Sequence, residues 1–99
     1  MMKVLLACSA GMSTSLLEAN IKEYAQKIGQ EIEIIAKPSN EALASIKDYQ
    51  ICLLGPQVRF MEVTFKQHAG SIPVVVIPPH IYAMARGEEC FKLIKENLK

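Results

Sequence analysis

Cys8 opens a run of residues whose types suit one chemistry: Ser9, Ala10, Gly11, Met12, Ser13, Thr14 and Ser15 follow it directly. A lone cysteine at the end of an apolar run reads as a small core residue, and its neighbours change that reading. Gly11 and Ala10 let a backbone curl tightly, and four hydroxyl side chains offer hydrogen bonds. A helical pattern begins at once, so the loop also presents the unpaired N–H groups and positive dipole end of a helix N-terminus. Such a junction is an anion site of the phosphate-cradling kind. The same surroundings favour a thiolate, because a helix N-terminus lowers the pKa of a cysteine from its free value near 8.5. Cys8 is therefore expected to be an activated nucleophile whose covalent product is held by the loop from Ser9 to Ser15.

The elements that must position this loop alternate between strand and helix. Lys3 to Cys8 reads as a buried strand. From Ser13 to Ile28, Leu17, Ile21, Tyr24 and Ile28 recur at helical spacing, and Gly29 is a natural stop. Ser15 and Glu18 also match a capping box, which leaves the helix start open between Ser13 and Ser15. Glu31 to Lys37 alternates apolar and charged residues, as an edge strand does. Pro38 ends it, and Ser39 or Asn40 can cap a short helix carrying Leu43 and Ile46. Ile51 to Leu54 is a third strand closed by Gly55-Pro56. A helix from about Val58 to Ala69 follows, then a strand from Val74 to Ile77 that Pro78-Pro79 stops. A last helix runs roughly from Glu88 to Leu98.

Short apolar strands alternating with helices predict an α/β fold: a single doubly wound domain over residues 1–99, with helices on both faces of a four-stranded parallel sheet. With strand 1 central, the order is 2-1-3-4. Ligands of such sheets bind in the crevice at the carboxyl ends of strands 1 and 3. The cysteine loop and Gly55-Pro56-Gln57 both end there.

Bulk properties exclude several classes. Ninety-nine residues, half of them hydrophobic, suit one soluble core. With 11 Lys and Arg against 10 Asp and Glu, net charge +1 and the signs interspersed, no nucleic-acid partner is indicated. No apolar run is long enough for a signal-peptide core or a membrane span. Cys8, Cys52 and Cys90 form neither a Cys-x-x-Cys pair nor a zinc spacing, so a reduced, cytoplasmic setting is expected, with no metal or cofactor. Cys52 reads as strand core and Cys90 as helix core or boundary. His68 reads as a solvated or C-capping residue. Gln57, Arg59, His80, Tyr82 and Met84 fall where a docking partner would meet the active edge, although core or surface roles suit them equally.

The segment from Cys8 to Leu17, Cys-Ser-Ala-Gly-Met-Ser-Thr-Ser-Leu-Leu, resembles the active-site loop of sugar-specific IIB components of the bacterial phosphotransferase system, in the lactose/cellobiose subgroup. Leu53-Leu54-Gly55-Pro56-Gln57 resembles the second signature of that family, and the resemblance spans essentially the whole chain. It implies a phosphorelay in which a phosphohistidine on a IIA protein donates to Cys8. A membrane-embedded IIC component then brings a disaccharide whose hydroxyl receives the phosphoryl group. By position, Cys8 is the phosphocysteine and Ser9 to Ser15 the cradle of a monomeric carrier. The wording of the loop leans toward cellobiose or diacetylchitobiose over lactose.

The rival reading is a low-molecular-weight tyrosine phosphatase or an arsenate reductase, which place a cysteine loop after strand 1 of a similar sheet. A phosphatase needs an arginine at the position held here by Thr14. It also needs an acid to protonate the leaving group, and the only aspartate, Asp48, precedes strand 3 at the opposite end of the sheet. An arsenate reductase needs further cysteines within reach of the first, and Cys52 and Cys90 are not so placed. A non-enzymatic anion sensor is a further alternative, but it has no need of a nucleophile at the focal point.

Overall fold

The computed structural model describes residues 1–9 and 13–98. Four strands, β1 (Met2–Cys8), β2 (Ile32–Pro38), β3 (Ile51–Leu54) and β4 (Val74–Val76), form one parallel sheet in the order β2-β1-β3-β4. The central strand, β1, is apolar on both faces: Val4, Leu5, Leu6 and Ala7 are wholly buried. Alternation sends Val4 and Leu6 into one layer and Leu5 and Ala7 into the other. The register Ala7↔Leu54 and Cys8↔Pro38 leaves Cys8 at the carboxyl edge, one residue beyond the last β1–β3 pair.

One face is covered by α1 (Ser13–Lys27), α4 (Pro79–Ala83) and α5 (Gly87–Asn97). Leu17 and Ile21 of α1 meet Ile81 and Tyr82 of α4 and Phe91 and Ile94 of α5 over Val4, Leu6 and Leu53. The other face carries α2 (Ser39–Ser45), the 3-10 turn Ile46–Asp48 and α3 (Glu62–Ala69), which bury Ala42, Ile46 and Phe65 against Leu5, Cys52 and Leu54. Asp48 is exposed ahead of β3, at the amino end of the sheet.

Several boundaries differ from the sequence reading, each for a local reason. Helix α1 begins at Ser13, so Ser15 lies within its first turn and is not the cap of a box; Glu18 pairs instead with Lys22 at 3.5 Å. At the other end Gly29 takes φ 75°, with Gln30 N–H donating to Ala25 O and Gly29 N–H to Gln26 O, a Schellman stop. That geometry turns Ile28 outward, and Ala25 is buried in its place. Neither Ser39 nor Asn40 caps α2: Pro38 holds the N-cap position, with no side-chain cap bond. The helix expected from Val58 is divided. Pro56–Met61 is a 3-10 segment broken at Val58 (φ −115°, ψ 18°), and regular α-helix starts only at Glu62. Between Pro78 and Arg86 the sequence reading placed no element, yet α4 lies there with Pro79 at its first position, where a fixed φ and a missing N–H suit a helix start.

Candidate active site

Cys8 is held from three sides. Strand β1 delivers it to the sheet edge, where it is 5% exposed. Beside it β2 ends, and the thiol reaches Lys37 O at 3.6 Å. From above comes the first turn of α1: Thr14 Oγ1 lies 4.0 Å from Cys8 Sγ. Thr14 is only 4% exposed and is the one buried polar side chain among the described residues. Here the thiol donates and the Thr14 hydroxyl oxygen accepts; a hydroxyl hidden from water at the start of a fifteen-residue helix can instead donate once the sulfur is deprotonated or carries an anionic group. No acidic side chain occupies the first turn of α1, so its dipole is not offset there.

The loop after β3 forms the other lip of the crevice. Gly55 N–H donates to Ala7 O at 2.9 Å, carrying the backbone pairing up to the residue before Cys8. A Cβ at Gly55 would stand 2.8 Å from Gln57 Oε1, 3.4 Å from Tyr82 Cε1 and 3.6 Å from Ala7 O. The Gln57 amide thus folds back over the turn, and a Tyr82 ring-edge carbon approaches Gly55 at ordinary contact distance; a Cβ here would need only the end of the Gln57 side chain to swing aside.

Of the residues singled out from sequence, the fold brings Cys8 and Thr14 together. Ser9 and Ser15 are exposed beside them. Ala10, Gly11 and Met12 lie outside the described residues, as does the side chain of Ser13. Gln57, Arg59, His80 and Met84 are exposed on segments that follow β3 and β4, while Tyr82 is buried. His68 is exposed in the last turn of α3, its Nδ1 3.0 Å from Thr64 O.

The other two cysteines are core residues on opposite faces of the sheet, Cys52 in the α3 layer and Cys90 in the α1 layer. Burial pushes both thiols up to about 12, so neither supplies a thiolate near neutrality. Nor can they act as resolving partners for Cys8, which removes the geometry an arsenate reductase would use. Among the described residues, no three His, Cys, Asp or Glu side chains gather as a metal site would need. No helix among them is long and apolar enough to cross a membrane. Asn20 and Gly87 carry no functional reading in the sequence, yet they bring α1 against α5 and the turn before it, as described below.

Fold and site together define a small doubly wound α/β protein with a single cysteine at the crevice of its central strand. The family model for the lactose/cellobiose-specific IIB subunit of the phosphotransferase system matches residues 3–93, and the chain belongs to that family. It is 43% identical over 94 residues to the oligo-beta-mannoside-specific EIIB component of Bacillus subtilis strain 168, covering 93% of this chain and 91% of that one. It is 39% identical over 93 residues to the galactose-specific EIIB component of Lactococcus lactis subsp. cremoris strain MG1363, covering 87% and 86%. The solution structure of a cellobiose-specific IIB component from Borrelia burgdorferi superimposes with a TM-score of 0.80 at 29% identity, over 98% of this chain and 91% of that one. The protein is thus a sugar-specific EIIB component of the lactose/cellobiose type, a phosphotransferase-system protein that works with IIA and IIC partners.

Proposed function

We propose that residues 1–99 act as one phosphocarrier domain in which Cys8 takes a phosphoryl group from a phosphohistidine of IIA and passes it to a sugar held by IIC. The Cys8 thiolate attacks phosphorus, an S–P bond forms as the N–P bond to histidine breaks, and the imidazole leaves neutral after taking up a proton. In the second step a sugar hydroxyl attacks, an O–P bond forms as S–P breaks, and the hydroxyl proton passes to the departing sulfur or to solvent. The reading rests chiefly on the placement of Cys8 Sγ 4.0 Å from the buried Thr14 hydroxyl at the start of α1. Hydrogen bonds from Thr14, from Ser9, Ser13 and Ser15, and from the backbone of the loop through Ala10, Gly11 and Met12 would hold the dianionic product. An arginine in place of Thr14 would favour hydrolysis, and a carrier must avoid water as an acceptor.

The acceptor is proposed to be a disaccharide, with cellobiose or diacetylchitobiose preferred over lactose. The relatives are named for different sugars (oligo-beta-mannosides, galactose and cellobiose) on one shared fold. That spread suits a carrier whose sugar is chosen largely by IIC. Such a carrier would work at the cytoplasmic side of the membrane.

Intact-protein mass spectrometry after incubation with a phosphorylated IIA tests the assignment. Wild type, Cys52→Ser and Cys90→Ser are expected to gain one phosphoryl group, and Cys8→Ser none. Phosphate on His68 or His80 in the Cys8→Ser protein would overturn it.

A further inference from the structure

Ala85, between α4 and α5, has a φ of 50°, the one positive value at a non-glycine residue in the described chain. Left-handed backbone disfavours a Cβ, and turns that need it ordinarily use glycine or asparagine. An alanine there must be held from outside. The holding group is on the page: Asn20, half-buried on α1, donates its Nδ2 amide to Ala85 O at 2.8 Å. Packing locks the arrangement, since a Cβ at Gly87 would meet the Asn20 carbonyl carbon and lie 2.5 Å from Asn20 O. From the Ala85 corner, hydrogen bonds run straight back into α4. Ala85 N–H donates to Tyr82 O at 3.2 Å and Arg86 N–H to Ile81 O at 2.9 Å. Tyr82, 7% exposed, then sets a ring-edge carbon 3.4 Å from where a Cβ on Gly55 would stand, and Gly55 N–H in turn donates to the carbonyl of Ala7, the residue before Cys8.

We propose that Asn20 is a positioning residue for phosphoryl transfer: its amide pins the Ala85 corner and thereby seats Tyr82 as the wall of the Cys8 crevice. The inference rests on Cys8 being the acceptor. Its logic is that α1 does two things at once. Its first turn brings Thr14 to Cys8, and its middle fixes the opposite wall through Ala85, so both sides of the crevice take their register from one helix. Backbone strain held in place by a specific side chain clusters around functional sites.

The test compares single-turnover phosphorylation by phospho-IIA in wild type, Asn20→Asp, and the double variant with Ala85→Gly. Aspartate keeps the shape of Asn20 but turns the donor into an acceptor facing a carbonyl. The maximal rate should fall roughly tenfold, because sub-ångström misplacement of reacting groups is costly, with the half-saturating donor concentration little changed. The Tyr82 ring signals in the proton NMR spectrum should shift. Glycine at 85 keeps a positive φ without help, so the double variant should regain most of the rate. A folded Asn20→Asp protein that transfers at the wild-type rate overturns the proposal, as does a slow variant that Ala85→Gly leaves slow. If Asn20→Asp fails to fold, Asn20→Ala is read by the same two outcomes. Failure of the Cys8 assignment itself shows separately, as phosphate uptake by Cys8→Ser before any Asn20 variant is compared.

Discussion

Replacing Gly87 with alanine should destabilise the protein, although a glycine-to-alanine change at a helix start ordinarily does the reverse. The added Cβ would lie 2.5 Å from Asn20 O and 2.7 Å from Asn20 Cβ, where ordinary contact begins near 3.4 Å. Relief requires α5 to withdraw from α1 by roughly 1 Å, because the obstructing atoms are backbone or at the Cβ and cannot rotate away. Such a shift would loosen Cys90, Phe91 and Ile94 against Leu17 and Ile21, and would disturb the edge-on Tyr24–Phe91 ring pair at 5.5 Å. Overpacking of this kind costs about 1–3 kcal/mol. The opposing gain, from fewer unfolded conformations of alanine, is about 0.4–1 kcal/mol. The net expectation is a loss of about 1–2 kcal/mol. Urea unfolding followed by circular dichroism measures it: with a slope on the order of 1–2 kcal/mol/M, the midpoint should drop by about 1 M at unchanged slope. A midpoint equal to or above wild type would mean that the two helices do not approach as closely as described. Gly29→Ala is the contrasting case, since its Cβ meets nothing within 4 Å and only its φ of 75° opposes the change, at about 1 kcal/mol.

Three further expectations concern the cysteines and their surroundings. Because burial raises Cys52 and Cys90 from 9.0 to about 12, both keep their protons in the folded state while the unfolded chain releases them; each should therefore remove about 1.4 kcal/mol of stability per pH unit above 9. A Cys52→Ala/Cys90→Ala protein should lose less stability between pH 9 and pH 10.5 than wild type, and parallel pH profiles would refute the assignment. Iodoacetamide should modify Cys8 in the native protein and reach Cys52 and Cys90 only in denaturant, as peptide mass mapping would reveal; native labelling of Cys90 would contradict the packing of α5. Thr14→Val preserves the buried shape and deletes the hydroxyl, so phosphorylation by the donor should slow by roughly tenfold, the worth of one hydrogen bond to a charged group. Wild-type kinetics in that variant would place the Thr14 hydroxyl outside the transfer site.

The sheet was legible in the sequence because its signal is redundant. Val4 to Ala7 and Ile51 to Leu54 are unbroken apolar runs, and chain topology then leaves few strand orders. Cys8 stood out for a similar reason, as a nucleophile, small residues and hydroxyls compressed into one strand–helix junction. Helix α4 was not legible: five residues are too few to show a period, and Pro78-Pro79 ends a strand as naturally as Pro79 begins a helix. Asn20 and Gly87 were hidden for another reason. An asparagine in mid-helix looks solvated, and a glycine before a charged stretch looks like a turn. Only tertiary contact shows one clamping Ala85 and the other making room for it. Ile28 shares the helical spacing of Leu17, Ile21 and Tyr24, yet the Schellman stop at Gly29 turns it outward.

The central position of β1 also bears on how the chain comes off the ribosome. Its partners arrive one after the other, β2 ending at Pro38 and β3 not until Leu54. Between those points 54 − 38 = 16 residues must be added, which takes about 1–3 s at ordinary synthesis rates of roughly 5–20 residues per second. Throughout that interval a strand reading Val-Leu-Leu-Ala has an unpaired backbone edge and no layer of α3 over Leu5 and Ala7. Parallel pairing cannot be hastened by a local hairpin, so the delay is fixed by connectivity. The strand that ends at Cys8 is thus also a segment open to wrong pairing with another nascent chain.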